Sequence, residues 1–270
     1  MPFNSSSNGF ENEVQFVFKL NNKKFKNINF GLQLFLEDLY GEINPEQSIT
    51  CYKNKYLQKG DIFIKVNNKV KIISIKKGVK NSVHTEPISE FIHFLIENKM
   101  PKEMVVNFLK YHYADGTTNG SGEERISVEE FKKNNQRCID EINNFINKKE
   151  FLIKAIDRFV VVGRNSNKKI DAILYGVPDD FIWIKRKEIY NILLKHKEDY
   201  STSIHFSGLS YQPLNRCINR NEKYEKCRYI SQIKWYNISD DVIEAMNDRN
   251  NQGIILIWSS GWLRTITGQL

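Results

Sequence analysis

The chain has 270 residues, room for one large domain or two smaller ones, and it can bury a core without disulfide staples. Lysine and arginine outnumber aspartate and glutamate by 40 to 32, and the resulting formal charge of +8 suits a polyanionic partner. Cys51, Cys138, Cys217 and Cys227 form no Cys-x-x-Cys pair, which argues against a zinc framework. No apolar run approaches the roughly 20 residues of a membrane span, and the polar start at Met1–Asn8 lacks a secretory leader pattern. A cytoplasmic protein without membrane association is expected.

Residues 1–9 read as a loose tail. From Phe10 the spacing of Phe10, Val14, Val17 and Phe18 predicts a helix with those residues on one side and Glu11 and Glu13 in its first turn. A second helix is predicted over Leu32–Tyr40, broken by Gly41 and Pro45. The segment 59–78 (KGDIFIKVNNKVKIISIKKG) then reads as two short strands joined by a tight turn at Asn67-Asn68. A two-residue turn pairs Val66 with Lys69 and, counting outward, places Asp61 opposite Ser74. Side chains alternate, so Lys76 shares that face, diagonal to Asp61 at roughly 7–8 Å between backbones. Ile62, Ile64 and Ile73 form the inner face with Val66 at its end, while Phe63, Val70 and Ile72 accompany the polar trio. An ordinary amphipathic hairpin fits this pattern; so does a carboxylate and a lysine held on one rigid ribbon to act on a phosphodiester.

Gly78 ends the second strand, and Pro87 suits the first turn of a following helix whose core side is Ile88, Phe91, Ile92 and Leu95. Glu86, Glu90, His93 and Glu97 form the other stripe, with Glu86 at the helix entrance where the backbone dipole favours an anion. Residues 115–122 (DGTTNGSG) read as a flexible loop and the clearest boundary. Ser127 and Glu130 make a capping box that opens a helix to about Lys148, with Phe131, Ile139, Ile142 and Phe145 buried.

Beyond it, 157–175 reads as a second hairpin, Pro178-Asp179-Asp180 as a turn, 187–197 as a helix and 253–258 as a short buried strand. Residues 204–235 carry Arg216, Arg220, Lys223, Lys226, Arg228 and Lys234 interleaved with Tyr211, Tyr224, Tyr229 and Trp235. Cationic side chains supply phosphate contacts, and arginine, asparagine and glutamine can read base edges. Asn215, Arg216, Arg220, Lys223, Arg228, Gln232 and Lys234 are the candidate DNA-binding residues; a solvated loop diluted by Glu222 and Glu225 is the alternative.

The order of carboxylate, Ser-x-Lys and helix-entrance carboxylate resembles the PD-(D/E)xK nuclease superfamily in a variant form. Asp61 matches its first acid and Lys76 its motif lysine, while Ser74 stands where the family has Asp or Glu and Gly60 where it has proline. Some restriction endonucleases of the superfamily have a similar Ser-x-Lys and take the missing acid from the following helix; Glu86 is the first candidate here and Glu90 the second. The resemblance covers about residues 10–98. It implies an α/β fold, a mixed central β-sheet flanked by helices, with a C-terminal α+β region. It also implies Mg2+ held by Asp61, Glu86 and the Ile75 carbonyl, with Lys76 stabilising the transition state and Ser74 orienting a water. Glu13 is either a further metal-proximal acid or an ordinary first-turn acid. The expected organisation is a nuclease core at 1–116, a loop and connecting helix at 117–150, and a recognition region at 151–270. The expected function is a type II restriction endonuclease acting on double-stranded DNA as a homodimer. Alternatives are an antiphage defence or repair nuclease of the superfamily, and a non-catalytic nucleic-acid-binding protein.

Overall fold

The computed structural model describes residues 5–55, 58–78, 81–122, 124–164, 166–195, 203–214 and 222–251. The chain divides into two compact units, one of residues 1–81, 161–192 and 237–270, the other of 82–160 and 193–236. Both are discontinuous in sequence.

The first unit is built on a six-stranded sheet. Its strands are β1 (Lys23–Lys24), β2 (Ser48–Lys53), β3 (Ile62–Val66), β4 (Lys69–Lys76), β6 (Ala172–Val177) and β7 (Asp180–Lys185), in the spatial order β1-β2-β3-β4-β6-β7. All neighbours are antiparallel except β4 and β6, which run parallel with Ser74 beside Ile173 and Lys76 beside Tyr175, so the sheet is mixed. Parallel neighbours need a long crossover, and the chain between them contains residues 82–160 of the second unit.

The β3–β4 hairpin has the expected register: Val66 pairs with Lys69 and Ile62 with Ile73, and Asn67 takes the positive φ of 49° that a tight turn demands. Ile62, Ile64, Ile73 and Ile75 point to one face, where helices α1 (Ser5–Leu20) and α2 (Phe30–Tyr40) bury Phe16, Leu20, Leu32, Phe35 and Leu36 against them. Helix α2 is capped by Asn29, whose side chain accepts from Leu32 N–H.

Helix α1 begins at Ser5, five residues earlier than expected, which removes Glu11 and Glu13 from its first turn. Its buried side is also shifted. Asn12, Phe16 and Leu20 face the core and, of the expected set, Val17 packs against it, while Phe10, Val14 and Phe18 are exposed at 59%, 45% and 72%. Both sets have helical spacing; the core set is fixed by Asn12, whose Nδ2 donates to the Gly176 carbonyl at 2.8 Å. Among the described residues the expected hairpin at 157–175 does not form. Residues Asp157–Val161 form a π-helical turn, and β6 pairs instead with β4 and β7. Pro178 and Asp179 do form a turn, the one between β6 and β7. Helix α7 (Arg186–Leu194) follows, and α8 (Ile238–Asn251) returns to β7, where Arg249 donates to Trp183 O and pairs with Glu188.

The second unit holds a four-stranded sheet in the order β5-β10-β9-β8, of β5 (Asn81–Pro87), β10 (Ile230–Trp235), β9 (Leu209–Pro213) and β8 (His205–Phe206). Helices α3 (Ile88–Glu97), α4 (Lys102–Tyr113), α5 (Val128–Ile146) and α6 (Lys149–Ile156) accompany it. Phe91 stacks on Phe108 and Phe159 at 5.2 and 5.4 Å between centroids, and Phe206 and Tyr211 close the aromatic cluster. The Ser127 cap of α5 forms as expected, with its hydroxyl accepting from Glu130 N–H. The 115–122 loop lies inside this unit rather than at a boundary, and it is stitched together: Asp115 accepts from Thr117 N–H and Oγ1 and from Gly122 N–H. The expected strand at 253–258 lies outside the described residues. Among the described residues no helix is long and apolar enough to cross a membrane.

Candidate active site

Asp61 stands just before β3, and its position depends on a glycine. Gly60 has φ +93°, and a Cβ there would come within 2.3 Å of Ile72 Cγ2. Only glycine accepts both demands, which explains why proline does not precede this acid. Asn54 braces the same turn, its Nδ2 donating to Gln58 O and Gly60 O. Sequence reasoning names Gly60 only as a departure from the family's proline and misses Asn54 altogether.

The Asp61 carboxylate turns to the face opposite the α1–α2 core. Its Oδ2 accepts from Ser74 Oγ at 3.0 Å and from Ile75 N–H at 2.5 Å. Ser74 is buried and thus orients the carboxylate directly. Ile73 O receives Asp61 N–H on the β3 side of β4. Alternation of backbone groups along a strand therefore puts both N–H and C=O of Ile75 on that same edge. Lys76 Nζ lies 3.9 Å from Asp61 Oδ2, both side chains being largely but not fully enclosed. The sequence-derived trio of Asp61, Ser74 and Lys76 is thus brought together within one unit, with the Ile75 backbone at its edge.

Glu13 is placed differently. Its Oε2 lies 2.7 Å from Lys53 Nζ. Lys53 alternates with Cys51 and Ile49, which belong to the α1 core face, whereas Asp61 faces the other way. Asp171, just before β6, is held by Lys71, Arg186 and the Ile72 N–H.

Glu86 is not a helix-start residue. It is the penultimate residue of β5, with Pro87 as the cap of α3, so Glu86 and Glu90 do not share a helical face. Its side chain is 2% exposed and meets Arg158 twice, Nε to Oε1 at 3.2 Å and Nη2 to Oε2 at 2.7 Å, with His84 Nε2 at 3.3 Å. Burial opposes its charge, but His84 and Arg158 outweigh burial and hold the carboxyl below its usual range. Arg158 also reaches the Glu90 carbonyl and lies over the Phe94 ring. Sequence reasoning missed Arg158, whose separation of 72 residues from Glu86 leaves no local trace.

Of the expected DNA-binding residues, Asn215, Arg216 and Arg220 lie outside the described residues, and Lys223 belongs to a 3-10 segment, Glu222–Tyr229. Tyr211 and Trp235 are buried core residues, so neither can stack on a base. Arg228 is partly committed: its Nη1 donates to Gly120 O and its carbonyl accepts from His112 Nε2. The Arg228 carbonyl can only accept, so His112 Nε2 carries a proton, and in the neutral ring Nδ1 accepts from Tyr211 OH at 2.5 Å.

Burial pushes His112 down to about 4, and Arg125 adds to that push while Asp115 and the Arg228 carbonyl oppose it. The neutral form is therefore the native one. The stability it contributes is complete above the unfolded imidazole value of about 6.5 and is lost as pH falls from there toward about 4. Urea denaturation between pH 7 and pH 4 is expected to show a loss of about 3 kcal/mol from this group; a His112→Gln variant whose stability falls as steeply over that window would refute it.

Among solved structures the chain is similar to the restriction endonuclease MspI, described in complex with its cognate DNA; the likeness covers 87% of this chain and 93% of that chain at a TM-score of 0.50 and 10% identity. The chain has a restriction-endonuclease-like fold. No protein-family model matches it, and no curated protein does. Within the restriction-endonuclease-like fold, Asp61 immediately precedes β3 and Lys76 ends β4, the central hairpin of the mixed sheet. Among the described residues no group of three or more His, Cys, Asp or Glu side chains is arranged to hold a metal ion.

Proposed function

We propose that this chain is a magnesium-dependent DNA endonuclease of the type II restriction class, using a variant PD-(D/E)xK motif of Asp61, Ser74 and Lys76. The observation that supports this reading most is the ammonium of Lys76 lying 3.9 Å from a carboxylate that Ser74 and the Ile75 N–H hold in place. The fold likeness to MspI, whose structure is described with its cognate DNA, supports the substrate class. The net charge of +8 agrees with a polyanionic partner.

The donor set fits magnesium. That ion takes hard oxygens and is bound by one or two carboxylates together with substrate phosphates and waters, rather than by an all-protein cage. Asp61 would hold it, with the Ile75 carbonyl available on the same strand edge. When bound, the ion neutralises charge on the phosphoryl oxygens and activates water. Ser74 fixes the carboxylate so that little reorganisation is needed. Lys76 presents a positive charge to the pentavalent transition state, where electrostatic stabilisation is worth most. Glu86, held by Arg158 and His84, keeps a structural role in this reading, and Glu90 and Glu13 are not needed. Cutting both strands of a duplex calls for two such sites, which a homodimer would supply.

Incubation of unmethylated plasmids with the full chain is expected to yield discrete fragments in magnesium and none in EDTA. A smear would instead support an antiphage defence or repair nuclease with the same chemistry. Salt-sensitive binding without any cleavage would leave a non-catalytic nucleic-acid-binding protein.

A further inference from the structure

The second unit's sheet has two unlike faces. Leu209, Tyr211, Ile233 and Trp235 alternate inward and are buried. The other face carries Ser210 and Gln212 from β9, Gln232 and Lys234 from β10 and His205 from β8, and Ser82 of β5 joins it through its hydrogen bond with Gln232. The register arranges them in two rows. His205, Ser210 and Lys234 lie side by side in one, and Gln212 and Gln232 are directly paired in the other.

The second row is hydrogen-bonded in series. Gln212 Nε2 donates to Gln232 Oε1 at 2.8 Å, and Gln232 Nε2 donates to Ser82 Oγ at 3.3 Å. This chain fixes the orientation of the Gln232 amide. Its nitrogen retains a second hydrogen and its oxygen a second lone pair. A donor and an acceptor on one oriented amide match the N7 and N6 edge of adenine in the major groove. The six residues of this face include one lysine and no acid, and β10 is entered from a segment that presents Glu225 and Lys226 side by side. A lysine on a face that carries no carboxylate of its own suits a phosphate backbone.

We propose that this polar face reads base edges of double-stranded DNA, with Gln232, held by Gln212 and Ser82, specifying an A·T pair. The proposal rests on the nuclease reading for its partner and goes beyond it in naming where sequence is read.

The test uses the full chain carrying Lys76→Ala, selected against a pool of random-sequence duplexes in calcium. The parent is expected to enrich a motif containing an A·T pair. Adding Gln232→Ala should cut the preference at that pair roughly tenfold or more and change affinity for unrelated duplexes far less. Gln232→Glu should move the preference toward a C·G pair, because a carboxylate accepts from cytosine N4; a merely structural residue would not redirect the base. Lys234→Ala should lower the salt slope of binding by about one without changing the motif. An unchanged motif in both Gln232 variants, with each melting like the parent, overturns the proposal while leaving the nuclease reading intact. Enrichment of no motif overturns it as well. A motif that shifts with Gln232 in a protein whose wild type never cleaves DNA upholds this face and removes the nuclease reading instead.

Discussion

Lys76→Ala is expected to lower magnesium-dependent DNA cleavage by at least about 100-fold, the scale of removing one preorganised charge from a transition state, while the melting midpoint stays near wild type. The two halves of this expectation have separate grounds. Lys76 and Asp61 are 3.9 Å apart and each keeps contact with solvent, so their pairing adds little to folding, on the order of 0–1 kcal/mol. In the proposed mechanism the same ammonium would act on charge that develops only during the reaction, where electrostatic stabilisation is worth most. Duplex binding in calcium should be nearly unchanged. Wild-type cleavage by the alanine variant would take Lys76 out of the mechanism.

Asp61→Asn provides the complementary test. The amide oxygen can still accept from Ser74 Oγ and the Ile75 N–H, so the turn held by Asn54 and Gly60 is retained. Only the charge is lost, and with it the one acid that this reading assigns to magnesium. Cleavage should vanish, and the magnesium concentration needed for any residual rate should rise. A variant that folds and cleaves with the wild-type magnesium dependence would mean that Asp61 is not the ligand.

The parts of the structure that were legible in the sequence are the parts set by local rules. The β3–β4 register follows from a two-residue turn and strict alternation, and both appear in a continuous stretch of residues. Placing Asp61, Ser74 and Lys76 on one face needed nothing more. What was not legible depends on partners far along the chain. The face of α1 was misassigned because Phe10, Val14 and Phe18 have the same spacing as Asn12, Phe16 and Leu20; the choice between them is made by β6, more than 160 residues away. Residues 157–161 are apolar enough for a strand, but β6 gains its neighbour from a parallel pairing with β4 that no turn announces. Glu86 was read as a helix-entrance acid because Pro87 follows it. Pro87 in fact caps α3 from outside, and the carboxylate is claimed by Arg158.

Arg158→Ala should destabilise the protein by about 3–5 kcal/mol, the usual scale of removing one partner from a buried ion pair. Glu86 would be left as a carboxylate with 2% side-chain exposure and only His84 to oppose burial, so its carboxyl should rise toward and beyond the usual range. In the wild type the folded carboxyl lies below its unfolded value. Its contribution is therefore present above about pH 4.3 and is lost as pH falls through the folded value. In the alanine variant the sign reverses: the folded group prefers its proton, so acid relieves the defect and the gap to wild type should narrow as pH drops from 7 to 4. Replacing both partners, Glu86→Gln with Arg158→Met, should cost far less than either charge left alone, because no unpaired charge stays buried. The same double variant, if it folds, decides what Glu86 does. A cleavage rate near wild type would leave the pair a structural one. A folded protein with cleavage abolished would return the carboxylate to the chemistry. A single Arg158→Ala variant that melts within 1 kcal/mol of wild type at pH 7 would show that Glu86 has a second source of compensation.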